Sequence, residues 1–229
     1  MRASCQRSVD ESRFLLALDD DTSEFHRRFA RDPLVGPSVR MLRGLRPTRT
    51  PTVAQALLRA VCGQLIQARR AREIERTVTR ACREDPPSRE ALARLSPAAL
   101  TGCGLAPSRA ATVARLVRTI DLEALRTTKA RTALARLGRE RGVGPWSVGV
   151  VALHGLGRYD TGLVADLGLV KLVAALSGRW PEQPAETAEL LAPYGEWQGL
   201  ASMFLLAGFG RGLVPGASMD RARLARRAA

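Results

Sequence analysis

Gly142-Val143-Gly144-Pro145-Trp146 joins two helix-like runs, Lys129 to Gly138 before it and Pro145 to Leu156 after it. Glycine reaches backbone conformations and close approaches that other residues cannot. Proline suits the first position of a helix, because the N–H it lacks would have no partner there. The spacing therefore predicts two helices joined by a tight turn, a helix–hairpin–helix. Free N–H groups and the positive end of the second helix then face outward, ready for a phosphate. The same five residues also fit an αα-hairpin that binds nothing.

Four further stretches narrow the choice. Arg158-Tyr159-Asp160-Thr161-Gly162-Leu163-Val164-Ala165-Asp166-Leu167-Gly168-Leu169 follows the hairpin, with Asp166 twenty-two positions after Gly144. Cys62-Gly63-Gln64-Leu65-Ile66 and Gly104-Leu105-Ala106-Pro107-Ser108-Arg109-Ala110 precede it, and Trp197-Gln198-Gly199-Leu200-Ala201 comes last. In this order, over roughly Asp32 to Gly210, they resemble the helix–hairpin–helix (HhH-GPD) DNA glycosylase superfamily, and within it the 3-methyladenine DNA glycosylase II (AlkA-type) branch. The resemblance implies an all-α, two-lobed glycosylase fold with a central DNA-binding cleft. Relatives carry an α/β domain ahead of the helical part; here it is expected to be missing or reduced to a remnant.

The resemblance also assigns roles. Asp166 falls on the essential aspartate, while by residue type alone it fits a plain helix N-cap. A fixed anion there stabilises the positive charge that builds on a sugar as its base departs. Asp160, nearby, matches a non-catalytic position and reads as loop structure. Trp146 stands where strand-cutting relatives carry a Schiff-base lysine, which implies base removal without lyase chemistry; its plain reading is core. Trp197 falls on a second base-pocket tryptophan. Two aromatic faces suit a flipped, cationic base. Alkylation of a purine ring nitrogen makes the base cationic and weakens the glycosidic bond, so little leaving-group protonation is needed. Val150 replaces a third aromatic of close relatives. Leu65 falls on the wedge that fills the gap left by an everted base, against a plain reading as helix-end packing. Gln64 beside it is expected to contact bases around the gap. Gly142 and Gly144 are expected to hold phosphates through their backbones, and Arg69 and Arg70 either hold phosphates or form a solvated face. Glu140 stands where relatives have an apolar residue, so the hairpin is expected to pack differently.

Composition sets wider bounds. The 229 residues suffice for one substantial core or two packed lobes. A net charge of +14 favours a polyanionic partner. Only Lys129 and Lys171 of the 36 basic residues are lysine, a composition that a biased genome also produces. Cys5, Cys62, Cys82 and Cys103 show neither metal-ligand nor secreted spacing, and no cysteine follows Cys103. No iron–sulfur cluster and no metal site are expected; the resemblance allows a monovalent cation on the hairpin carbonyls. His26 and His154 form no ligand group, and His154 reads as a packing or surface residue. No window approaches a membrane span and no apolar signal core opens the chain. The expectation is a cytoplasmic, nucleoid-associated monomer whose partner is double-stranded DNA with damaged bases.

Residues 1–20 are expected to be a remnant or poorly ordered end, with a short strand at Phe14-Leu15-Leu16-Ala17-Leu18. Residues 21–215 form the helical glycosylase domain and 216–229 a basic, frayed tail. The function these readings converge on is a monofunctional DNA N-glycosylase that flips out and hydrolytically excises alkylated purines. The competing reading is a non-catalytic hairpin DNA-binding protein with a degenerate base pocket, for which Val150 and the missing domain speak. A third is a basic helical interaction protein with no DNA role.

Overall fold

The computed structural model describes residues 2–64, 66–128 and 130–228. Every regular element among them is helical. In chain order these are α1 (Arg2–Leu15), α2 (Ser23–Phe29), α3 (Gly36–Met41), α4 (Val53–Gly63), α5 (Ala68–Cys82), α6 (Arg89–Ala93) and α7 (Pro97–Gly102). Then follow α8 (Pro107–Thr119), α9 (Ala130–Gly138), α10 (Pro145–Val150), α11 (Leu167–Ser177), α12 (Ala185–Leu191), α13 (Gln198–Phe209) and α14 (Met219–Arg227). None of the described helices is long and apolar enough to cross a membrane. The chain divides into two interleaved units. One takes the segment up to Leu15 and Thr48–Gly157; the other takes Leu16–Pro47 and Arg158–Ala229.

The first unit is built around α4. Val53, Ala54, Ala56, Leu57, Leu58, Ala60 and Val61 are all fully buried, so most of the helix surface needs cover, and only the stripe of Gln55 and Arg59 is polar. That cover comes from α5, α8, α10 and a π-turn at Val151–Gly155. Its first three N–H groups are satisfied by two side chains. Thr52 Oγ1 accepts from Gln55 at 3.0 Å, and the Glu123 carboxylate accepts from Val53 and Ala54 at 2.9 and 3.1 Å. Gly155 lets the π-turn lie on α4, since a Cβ there would be 2.8 Å from that of Ala56. Trimming Leu57 to Ala should cost about 2–5 kcal/mol.

The N-terminal strand expectation is overturned: Phe14 and Leu15 close helix α1. The Phe14 ring lies under two guanidiniums, Arg49 at 4.8 Å and Arg126 at 4.9 Å, and the Arg49 N–H donates to the Leu15 carbonyl at 2.9 Å. A five-residue apolar run carries no period of its own, and these partners favour the helix.

The second unit is built around α13, with Ala201, Ser202, Phe204 and Leu205 fully buried. It meets α3 where Gly208 faces Ser38, and any Cβ there would overlap the Ser38 hydroxyl. α11 packs between α13 and α14. The tail is helical over Met219–Arg227. Ser218 caps α14 by accepting from Arg221 at 3.2 Å, and Ala222 and Ala225 bury one stripe while the arginines face water.

Candidate functional site

The hairpin lies wholly in the first unit. Gly142 has φ +85°, and a Cβ on it would meet Thr112 Oγ1 of α8 at 2.5 Å. Both facts demand glycine. Gly144 is different. Its backbone is extended (φ −90°, ψ 175°), it precedes Pro145 at the start of α10, and the space beyond its Cβ position is open. Val143, between them, is buried and anchors the turn, its N–H donating to the Glu140 carbonyl at 3.0 Å. The polar Glu140 is explained by α8: Arg115 forms an ion pair with it and also donates to the Arg141 carbonyl at 2.6 Å.

Gln64 and Trp146 are brought together by this hairpin. The Gln64 amide donates to the Gly142 carbonyl at 2.9 Å and to Ser147 Oγ at 3.0 Å. The six-membered ring of Trp146 lies against Gly63, where a Cβ would be 2.5 Å from the ring. The Cys62-Gly63-Gln64 segment and the hairpin are thus one structural piece, with the half-buried Gln64 amide engaged by the hairpin. Leu65 lies outside the described residues. Trp146 is half-buried, and Val150 is buried in α10. His154 is a packing residue whose Nδ1 lies 2.8 Å from the Thr48 carbonyl; burial pushes its pKa down.

The second unit holds Asp166. The residue is the N-cap of α11, and its Oδ1 accepts from the Gly168 N–H at 2.7 Å and the Leu169 N–H at 3.4 Å. These bonds fix the carboxylate plane at the positive end of an eleven-residue helix. The loop before it is strapped down at three places. The Gly199 N–H donates to the Tyr159 carbonyl at 2.7 Å. Ser202 Oγ accepts from the Leu163 N–H at 3.1 Å, and Thr187 Oγ1 accepts from the Ala165 N–H at 2.9 Å. Ser202 and Thr187 are both fully buried. Gly199 must lack a Cβ, which would press on the Thr161 carbonyl oxygen at 2.9 Å. Ala165, directly before Asp166, sits at φ +65°, a left-handed conformation that costs a non-glycine residue about 1–3 kcal/mol. The surrounding hydrogen bonds hold that strain in place.

Trp197 opens α13 within the same unit. Its ring stacks on Tyr159 (centroids 5.9 Å apart, planes 27°) and tilts against Phe25 at 5.9 Å. Its buried Nε1 has no hydrogen-bond partner among the described residues. Tyr159, which packs on the candidate base-pocket indole, is a neighbour that sequence reasoning missed. Its hydroxyl bonds the Asp20 carboxylate, and the signal was an aromatic inside the very loop that carries Asp166. Asp160 pairs with Arg158 at 2.7 Å on the surface, as loop structure should. Among the described residues no cluster of His, Cys, Asp and Glu could hold a metal. Cys62 and Cys82 are buried thiols pushed up to about 12 and about 11 by burial, which leaves them unreactive.

Against known proteins, no protein-family model matches the chain. It is 28% identical over 206 residues to the DNA-3-methyladenine glycosylase of Bacillus subtilis, covering 82% of this chain and 67% of that protein. Among solved structures it is similar to the 3-methyladenine DNA glycosylase of Archaeoglobus fulgidus, with TM-score 0.72, 20% identity, and coverage of 91% and 76% of the two chains. It is also similar to the 8-oxoguanine glycosylase/lyase of Clostridium acetobutylicum in complex with DNA, with TM-score 0.71, 17% identity, and coverage of 88% and 74%. The resemblance read from the motifs is thus met in sequence and in fold. The chain has the helical helix–hairpin–helix glycosylase fold. Proteins of that fold include both a methyladenine glycosylase and a glycosylase/lyase, so the fold alone does not choose the chemistry.

Proposed function

We propose that this chain is a DNA glycosylase of base excision repair that removes alkylated purines, 3-methyladenine-like, from double-stranded DNA by hydrolysis. The observation that carries the reading is Asp166, a carboxylate fixed by two backbone N–H groups at the end of a strained, triply strapped loop. That much local order for one acid is what transition-state stabilisation needs. As the bond between the anomeric carbon and the base nitrogen breaks, its electrons leave with the base. Positive charge gathers on the sugar, and the fixed anion stabilises it. Water then adds to the anomeric carbon and loses a proton, giving a free base and an abasic site. An alkylated, cationic purine leaves as a neutral base, which suits a site with aromatic faces and one acid.

Trp146 at the head of α10 supports a monofunctional reaction, since an indole cannot form a Schiff base. The open space at Gly144 gives a phosphate room to approach the start of the helix that runs from Pro145 through the π-turn. Hairpin carbonyls would hold a monovalent cation, if one binds, without taking part in bond cleavage. The protein acts as a monomer on DNA. The test is to incubate it with methylated duplex DNA, identify the released bases, and add borohydride. Release of methylated purines with no trapped covalent complex is expected. Binding without release would instead make it the non-catalytic DNA-binding protein, and a trapped complex would overturn the monofunctional assignment.

A further inference from the structure

Away from Asp166, the second unit carries a surface cavity of about 520 Å³ between α2, α3 and the segment after α3. Its lining is strongly one-sided. Arg27, Arg40, Arg43 and Arg46 ring it, joined by His26 and Ser23, and none of its lining residues is acidic; the nearby Asp21 carboxylate is taken up by Ser23, whose N–H donates to it at 2.9 Å. Two of the arginines are anchored. Arg46 donates to the Ala17 and Asp20 carbonyls at 2.8 and 3.0 Å, and Arg40 donates to the Ala30 carbonyl. Arg27 and Arg43 are exposed and make no hydrogen bond or ion pair among the described residues. Such an arrangement, two cations fixed as a frame and two with unused donors, suits an anion with several oxygens. Burial, and after it the charges of Arg46 and Arg43, push the His26 pKa down, so the cavity carries a field that favours a negative guest.

We propose that this cavity is a second phosphate site, taking a phosphodiester of the DNA backbone. The inference rests on the DNA-directed function proposed above. What favours a backbone phosphate over a nucleotide is the lack of a base slot. No Phe, Tyr or Trp lines the cavity, and its apolar floor is only Ala30 and Val39. Contacts of this type position DNA without reading sequence. The site is also rigidly tied to the aromatic block that holds Trp197. His26 meets Phe25 and Phe204 edge-on at 5.8 and 5.5 Å, and Phe25 packs on Trp197. A phosphate held here would fix the DNA relative to that indole.

The test uses the full chain and undamaged duplex DNA, with affinity measured across a salt series. The double variant Arg27→Ala/Arg43→Ala should keep the wild-type melting temperature and bind about tenfold more weakly, with the slope of log K against log salt reduced by about one. A control pair of exposed arginines on α5, Arg76→Ala/Arg80→Ala, should change neither. If the wild type binds DNA and the cavity variant matches it, or the control pair loses as much, the second site is overturned. Protection of the wild type from heat by pyrophosphate, with DNA affinity intact in the cavity variant, would give the cavity to a small phosphorylated ligand instead. Failure of the wild type itself to bind any duplex would strike the proposed function, a separate outcome.

Discussion

Gly142 and Gly144 stand two positions apart and depend on glycine for different reasons. Gly142 needs it for the fold, because of its positive φ and the Thr112 hydroxyl. Gly144 does not, since a Cβ there enters open space. Gly142→Ala should therefore lose about 1–3 kcal/mol of stability. Gly144→Ala should melt like the wild type and bind duplex DNA more weakly at every sequence, because phosphate contacts carry no base information. Thermal melts and anisotropy titrations on the two variants check this. Equal melting temperatures for both would remove the distinction. The turn, Pro145 and the N-cap at Asp166 were legible because each follows from a local preference that needs no partner. Gln64 was not legible in the same way. Its hydrogen bonds to Gly142 and Ser147 cross about eighty residues of chain, and a single sequence does not show such pairing. Tyr159 escaped for the same reason, its stacking on Trp197 being long-range.

At the scale of elements, the loop before α11 is the piece whose precision matters. Thr187 on α12 satisfies the Ala165 N–H, and Ala165 sits in the left-handed region one residue before Asp166. Thr187→Val keeps the shape and removes the acceptor, at about 1–3 kcal/mol, or a melting temperature several degrees lower. If the loop aims the carboxylate, single-turnover base release should fall by about tenfold while DNA affinity stays unchanged. Thr187→Ser should restore the rate. A lower melting temperature with an unchanged rate would make Thr187 structural only. Helices with a clear apolar period, such as α4, α5 and α8, were visible in the sequence to within a few residues. The helices at the two chain ends were not legible. α1 is held by Arg49 and Arg126 on Phe14, and α14 by two alanines on α11, and neither set of partners lies nearby in sequence.

For the whole molecule, both histidines are held below their ordinary pKa, His154 and His26 alike mainly by burial. The unfolded chain binds these protons near pH 6.5 and the folded chain only at lower pH. Between those values the unfolded state holds more protons, so stability falls as pH drops below about 6.5, by at most about 1.4 kcal/mol per pH unit for each histidine. His26 contributes less, being the less deeply enclosed of the two half-buried rings. The melting temperature should be lower at pH 5.5 than at pH 7.5, and His154→Gln should flatten that dependence. A melting temperature that holds constant or rises on acidification would contradict the burial account. The net charge of +14 is plain in the sequence, yet only the folded chain shows one place where it gathers, since Arg27 of α2 and Arg43 of the segment after α3 line one cavity. The central claim concerns one acid, and Asn caps a helix as well as Asp does, so Asp166→Asn separates chemistry from folding. Single-turnover release of methylated purine from duplex DNA, wild type against Asp166→Asn, is the most direct measurement. A loss of at least about 10²–10³-fold with DNA affinity and melting temperature preserved is the predicted result; release at the wild-type rate would contradict it.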